Sequence, residues 1–106
     1  DCTAVGQEAL YTNNGGTGNT ALGRRAMQLN TTGISNTAVG EYSLTNNTTA
    51  NYNVAVGQSA LNANTTGDHN TAVGYNSLVL NTTGTKNSAT GYDSLYLNTT
   101  GANNTS

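Results

Sequence analysis

Few side chains in this sequence could do chemistry, and their spacing keeps them apart. Cys2 and His69 are the only thiol and the only imidazole. To work as nucleophile and base they would have to come within about 3 Å of each other, or within one water. Glu8, Glu41 and Asp93 are the carboxylates that could pair for acid–base work, which needs about 5–10 Å between them. The adjacent Asp68 and His69 could begin a metal site, but no third ligand accompanies them. Tyr75 and Tyr92 could offer flat ring faces to a sugar. Asn30, Asn47, Asn64, Asn81 and Asn98 each open an N-T-T triplet, the acceptor pattern for N-linked glycan. The unpaired Cys2 could close an interchain disulfide outside the cell.

The elements that would position these residues follow from an internal repeat. Gly6, Gly23, Gly40, Gly57, Gly74 and Gly91 each end an A-x-G triplet, and successive glycines lie 17 residues apart without insertion or deletion. The units are 1–17, 18–34, 35–51, 52–68, 69–85 and 86–102, with 103–106 opening a seventh. The whole chain is read as one repeat domain with the consensus x-N-T-A-V-G-x-x-S/A-L-x-x-N-T-T-G-x. Such a unit is too short for a helix pair, and its Gly, Asn and Thr are poor helix formers. N-T-A-V reads as one strand, a stretch around the Leu at positions 8–12 as a second, and the glycine and N-T-T-G segments as turns. The fold class expected is all-β, a parallel β-solenoid of six coils rising about 4.8 Å each, for a length of about 29 Å.

On that ruler Cys2 and His69 stand four coils apart, about 19 Å along the axis. Glu8, Glu41 and Asp93 fall in the first, third and sixth coils, and Lys86 lies under His69, where it would repel a cation. No catalytic, cofactor or metal site is expected, and the chain does not read as an enzyme. The repeat instead predicts columns. Ala4, Ala21, Ala38, Ala55, Ala72 and Ala89, with Leu10, Met27, Leu44, Leu61, Leu78 and Leu95, form the core. Position 3 reads as a half-buried column. Asn13, Asn30, Asn47, Asn64, Asn81 and Asn98 form one amide ladder, and Asn19, Asn36, Asn53, Asn70, Asn87 and Asn104 another. Cys2 takes the ladder place in the first coil. The N-T-T asparagines are better explained as ladder rungs than as a glycan row, because sugars about 4.8 Å apart would crowd one another. Stacking also predicts ion pairs of Arg25 with Glu8 and of Arg24 with Glu41, and a stack of Tyr75 on Tyr92.

Composition excludes several partners. Charged residues are 8% of the chain and the three cations are too few to follow a phosphate backbone, so no nucleic-acid partner is expected. No apolar run approaches the ~20 residues of a spanning helix, so no membrane insertion is expected. The chain begins at Asp1, as a processed or excised segment would.

The A-V-G strands, Asn53-Val54-Ala55-Val56-Gly57 above all, resemble the head repeats of trimeric autotransporter adhesins. The longer N-T-A-V-G-x-x-S-L-x-x-N-T-T-G unit is similar to repeats of phage tail fibres. The resemblance covers the whole chain, although the unit is longer than the adhesin repeat. It implies left-handed β-rolls, three chains to a fibre, and an extracellular, cell-surface or virion location. The function expected is a structural or adhesive fibre segment. Its partner would be itself, as a homotrimer or a head-to-tail filament, with a host-surface glycan or protein as a further partner. The first and last units look like the middle ones, which favours end-to-end stacking. Two alternatives stand beside it. The columns Thr31, Thr48, Thr65, Thr82, Thr99 and Thr32, Thr49, Thr66, Thr83, Thr100 resemble the threonine arrays of insect antifreeze proteins, which implies ice binding, although T-x-T spacing is missing there. The Tyr75 and Tyr92 row would suit a carbohydrate-binding module.

Overall fold

The structure is a computed structural model describing residues 1–106. It contains strands β1 (Thr3–Val5), β2 (Thr20–Leu22), β3 (Thr37–Val39), β4 (Val54–Val56), β5 (Thr71–Val73) and β6 (Ser88–Thr90). They lie side by side in chain order as one parallel sheet. Every residue pairs with its equivalent one unit on, as in Thr37 with Val54, Ala38 with Ala55 and Val39 with Val56. Thr105 of the seventh unit bridges to Ser88. The chain is a parallel β-solenoid, one coil per repeat, measuring 31 × 20 × 16 Å. That length agrees with six rises of the strand spacing.

The second expected strand does not form. Residues 8–12 of each coil are turns. Ala9 N donates to Gly6 O and, in the next coil, Gln28 N donates to Arg25 O, both at 3.2 Å. Each turn has positive φ at its third residue, 59° at Glu8 and 49° at Met27, the pattern of a type II turn. The backbone therefore reverses twice within five residues and aims the Leu column inward. Leu and Met occupy the left-handed region in all six coils, a conformation unfavourable by about 1–2 kcal/mol for a residue with a Cβ. Stacking compensates. Leu61 N donates to Ser77 O of the next coil at 3.0 Å, and Ser59 N to Glu41 O of the preceding coil at 2.9 Å. Only 10 of 71 backbone hydrogen bonds lie within the strands, so stacked turns hold the coil together more than the sheet does.

The glycine after each strand is obligatory for two reasons. Its φ lies near 130° in the stacked coils, and a Cβ there would strike the carbonyl of the equivalent glycine in the next coil. At position 16 glycine is preferred but replaceable. A Cβ on Gly33 would press on Ala50 O and Asn30 Oδ1, yet the third coil carries Ala50 in that corner, fully buried. Both amide donors to its carbonyl are retained, from Asn36 at 2.8 Å and Asn47 at 3.1 Å.

The core is narrow. Ala21, Ala38, Ala55, Ala72 and Ala89 of the sheet face Met27, Leu44, Leu61 and Leu78 of the turns, all with no exposed surface. Ala26, Ser43, Ala60 and Ser77 fill the space beside them. The rest of the interior is asparagine. Each position-13 amide donates to the Oδ1 of the rung below, at 2.8 Å from Asn47 to Asn30 and 3.1 Å from Asn64 to Asn47. Its second hydrogen goes to the position-16 carbonyl of its own coil, Asn64 to Gly67 at 2.9 Å. At position 2, Asn53 Oδ1 accepts from the Asn70 backbone N–H at 2.8 Å, while Asn53 Nδ2 reaches the same Gly67 carbonyl at 2.9 Å. The two ladders thus meet on one carbonyl in every coil but the first. A core this small could not be closed with apolar side chains alone. Buried amides serve because none of their nitrogens or oxygens is left without a partner.

Candidate functional surface

The surface holds no pocket, so chemistry must be sought in columns on the outside of the rod. The corner at positions 7 and 8 carries most of the charge. Arg25 Nε bonds Glu8 Oε2 at 2.6 Å, and Gln28 Nε2 joins the same oxygen at 2.9 Å. The hydrogen bond to Glu8, and then its charge, raise the Arg25 pKa above the ordinary guanidinium value. Arg24 Nη1 meets Glu41 Oε1 at 3.2 Å, and Arg24 Nη2 meets the Tyr42 hydroxyl at 2.9 Å. The guanidinium also lies 5.4 Å from the Tyr42 ring centre. Farther along, Tyr75 and Tyr92 stack with centres 5.2 Å apart and planes 15° from parallel. These rings are exposed and form a short aromatic strip at the same corner.

The position-1 corner carries a second stack. Tyr52 and His69 lie 5.0 Å apart, with planes 29° from parallel. Both residues have positive φ, as do Ser35, Lys86 and Asn103 of the same column. Sequence reasoning placed His69 over Lys86 and overlooked Tyr52, although all three share one register. Beside this corner Asn51 Oδ1 accepts the Ile34 N–H at 2.9 Å and Asp68 Oδ1 accepts the Asn51 N–H at 2.7 Å. Asp68 therefore serves its neighbour's backbone, and no cluster of three or more metal-ligating residues forms.

The glycan acceptors are closed in the folded coil. Asn30, Asn47, Asn64 and Asn81 are fully buried, and both hydrogens of each Nδ2 are committed. Asn98 is half-buried, with the same pair of bonds. A glycosyl bond to any of these nitrogens would remove a rung, so occupancy of the N-T-T sites is incompatible with this fold.

The two threonine columns beside them have different roles. Thr31, Thr48, Thr65 and Thr82 donate their hydroxyls to the backbone carbonyl of the next coil at 3.0–3.2 Å. Thr32, Thr49, Thr66, Thr83 and Thr100 are exposed. Half of the expected threonine array is therefore occupied within the protein.

A broader array lies on the sheet. Because alternate strand residues face opposite ways, the inward Ala leaves positions 3 and 5 pointing out. Position 3, expected to be half-buried, is so only at Thr37 and Thr71; Thr3, Thr20, Val54 and Ser88 are exposed because no layer covers that face. Position 5 presents Val5, Leu22, Val39, Val56, Val73 and Thr90. The alternation T-A-V could have revealed this face in the sequence.

Cys2 is exposed and its Sγ approaches Gly16 O at 3.3 Å, a weak substitute for the asparagine found in later coils. Asn36, Asn53, Asn70, Asn87 and Asn104 each donate the backbone N–H to the rung below, but Cys2 gives Asn19 no such acceptor. Cys2→Asn is therefore expected to extend the ladder and stabilise the fold by about 0.5–1.5 kcal/mol, the net value of a hydrogen bond. Urea unfolding would show it as a raised midpoint at unchanged slope.

Compared with known protein families, characterised proteins and solved structures, the chain matches none.

Proposed function

We propose that this chain is a structural segment of an extracellular fibre, a stiff rod of stacked coils that self-associates. The observation that carries the reading is that burial within a coil depends on its neighbours along one axis. Ala4 is exposed in the first coil, whereas its five equivalents are fully buried. Leu95 is only half-buried, and Asp93 Oδ1 is enclosed without a partner in the sixth coil. The position-13 rungs all donate in one direction along the axis, so the same bonds can run through any number of coils.

Electron microscopy and sedimentation test this. Rods longer than the 31 Å of one coil stack support the reading. A monodisperse monomer at every concentration would sink it. Adhesion rests on the resemblance of Asn53–Gly57 to adhesin head repeats, with the exposed Tyr75–Tyr92 stack as the place a glycan would meet.

A further inference from the structure

The outward face of the sheet is an extended surface used by neither the ladders nor the ion pairs. We propose that this strip, with Thr20, Thr37 and Thr71 in one column that Val54 interrupts and Val39, Val56 and Val73 in the column beside it, is an ice-binding face. It is distinct from the N-T-T threonines and does not depend on whether rods join end to end.

The strip repeats in two directions. Along the axis its rows recur once per coil at the strand spacing of about 4.8 Å. Across it, positions 3 and 5 stand two residues apart on one face. Pairing is in register from β1 to β6, and ladder bonds of 2.8–3.1 Å recur over five steps. Stacked side-chain ladders are what keep a sheet flat against its usual twist. The Thr20, Thr37 and Thr71 hydroxyls form no hydrogen bond within the chain, unlike those of Thr31, Thr48 and Thr65. Beside them Val73 is exposed and Val39 and Val56 are half-buried.

That chemistry selects its ligand. The strip bears no charge, which disfavours a mineral or a polyanion. An ice surface is neutral, flat and periodic, and presents hydrogen-bonding oxygens at molecular spacing. Hydroxyls held rigidly in register can bond it without further ordering of the protein. The methyl groups leave water on contact.

The other candidate occupants fit less well. Three residues across and 31 Å long, the strip covers on the order of 300 Å² at ~3.3 Å per residue. A specific protein interface takes about 800 Å² from each partner. A crystalline polysaccharide would be met by aromatic rings, but the Tyr75–Tyr92 and Tyr52–His69 stacks stand at the strip's two margins.

The test is ice shaping, thermal hysteresis and recrystallisation inhibition by the full chain. The wild type is expected to be active. Thr37→Tyr combined with Thr71→Tyr should abolish activity, while Thr66→Tyr combined with Thr83→Tyr should leave it intact. Circular dichroism verifies the fold of each, and Val56→Lys serves as a second strip variant. An inactive wild type overturns the proposal. So does loss that follows Thr66 and Thr83 instead of Thr37 and Thr71. An oligomer dispersed by Thr37→Tyr would mean that a second copy covers the strip. Retention on chitin or cellulose that Thr37→Tyr removes would assign it to a polysaccharide. Either result overturns ice binding.

Discussion

Gly57→Ala is expected to destabilise the rod by about 2–6 kcal/mol, the sum of backbone strain at about 1–3 and overpacking at about 1–3. Gly57 has φ 132°, and a Cβ there would sit 2.5 Å from Gly74 O in the next coil. The contact is backbone on both sides, so no side chain can swing away. Gly91 separates the two causes. Its φ is 120°, but no coil lies beyond it and nothing stands within 4 Å of its would-be Cβ. Gly91→Ala should therefore carry the strain alone. Equilibrium unfolding of the two variants gives the difference, which measures the close approach of stacked backbones. Equal losses would mean that stacking there is looser than the structure has it.

Asn64→Leu should cost about 2–6 kcal/mol despite placing a larger apolar side chain in the core. Asn64 Nδ2 donates to Asn47 Oδ1 at 3.1 Å, and its Oδ1 accepts from Asn81 Nδ2 at 2.9 Å. Removing the rung strands an acceptor below and a donor above, each unsatisfied group costing about 1–3 kcal/mol. Gly67 O keeps its bond from Asn53 at 2.9 Å, so the damage stays on one ladder. Asn64→Asp adds a pH signature. An ionised carboxylate cannot donate to Asn47 and would be a buried charge, so the folded state should raise its pKa above the unfolded ~3.9. The sign follows by linkage: the folded state holds the proton more tightly. Stability is then greatest below the unfolded pKa and falls as pH rises through the folded one. A variant whose unfolding midpoint is flat between pH 3 and 7, read as an order-of-magnitude window around that pKa, would contradict the ladder.

How much was legible in the sequence depended on the column. A strict 17-residue period with no slip aligned every residue with its own copies. That is why the Ala core, the Leu core, both Asn ladders, the Arg25–Glu8 pair and the Tyr75–Tyr92 stack could be placed before any coordinates. The turns were not legible. Leu10, Arg25 and Tyr42 are residues that ordinarily avoid positive φ, and only the bonds from neighbouring coils make that conformation tolerable. A local propensity scale has no term for such a bond, so the Leu stretch read as a strand. The threonine columns were half legible. Their register was plain, but their hydrogen bonding depends on which way each hydroxyl faces, and position 3 of the T-A-V alternation read as half-buried although the sheet leaves most of it exposed.

Exchange of the asparagine side-chain amide hydrogens, followed by NMR, tests the polar-ladder core most directly. The Nδ2 groups of Asn47, Asn53, Asn64, Asn70 and Asn81 are hydrogen-bonded and fully buried, so their hydrogens should persist far longer than those of the exposed Asn14 and Asn103. Ladder amides that exchange as fast as Asn14 and Asn103 would contradict the account.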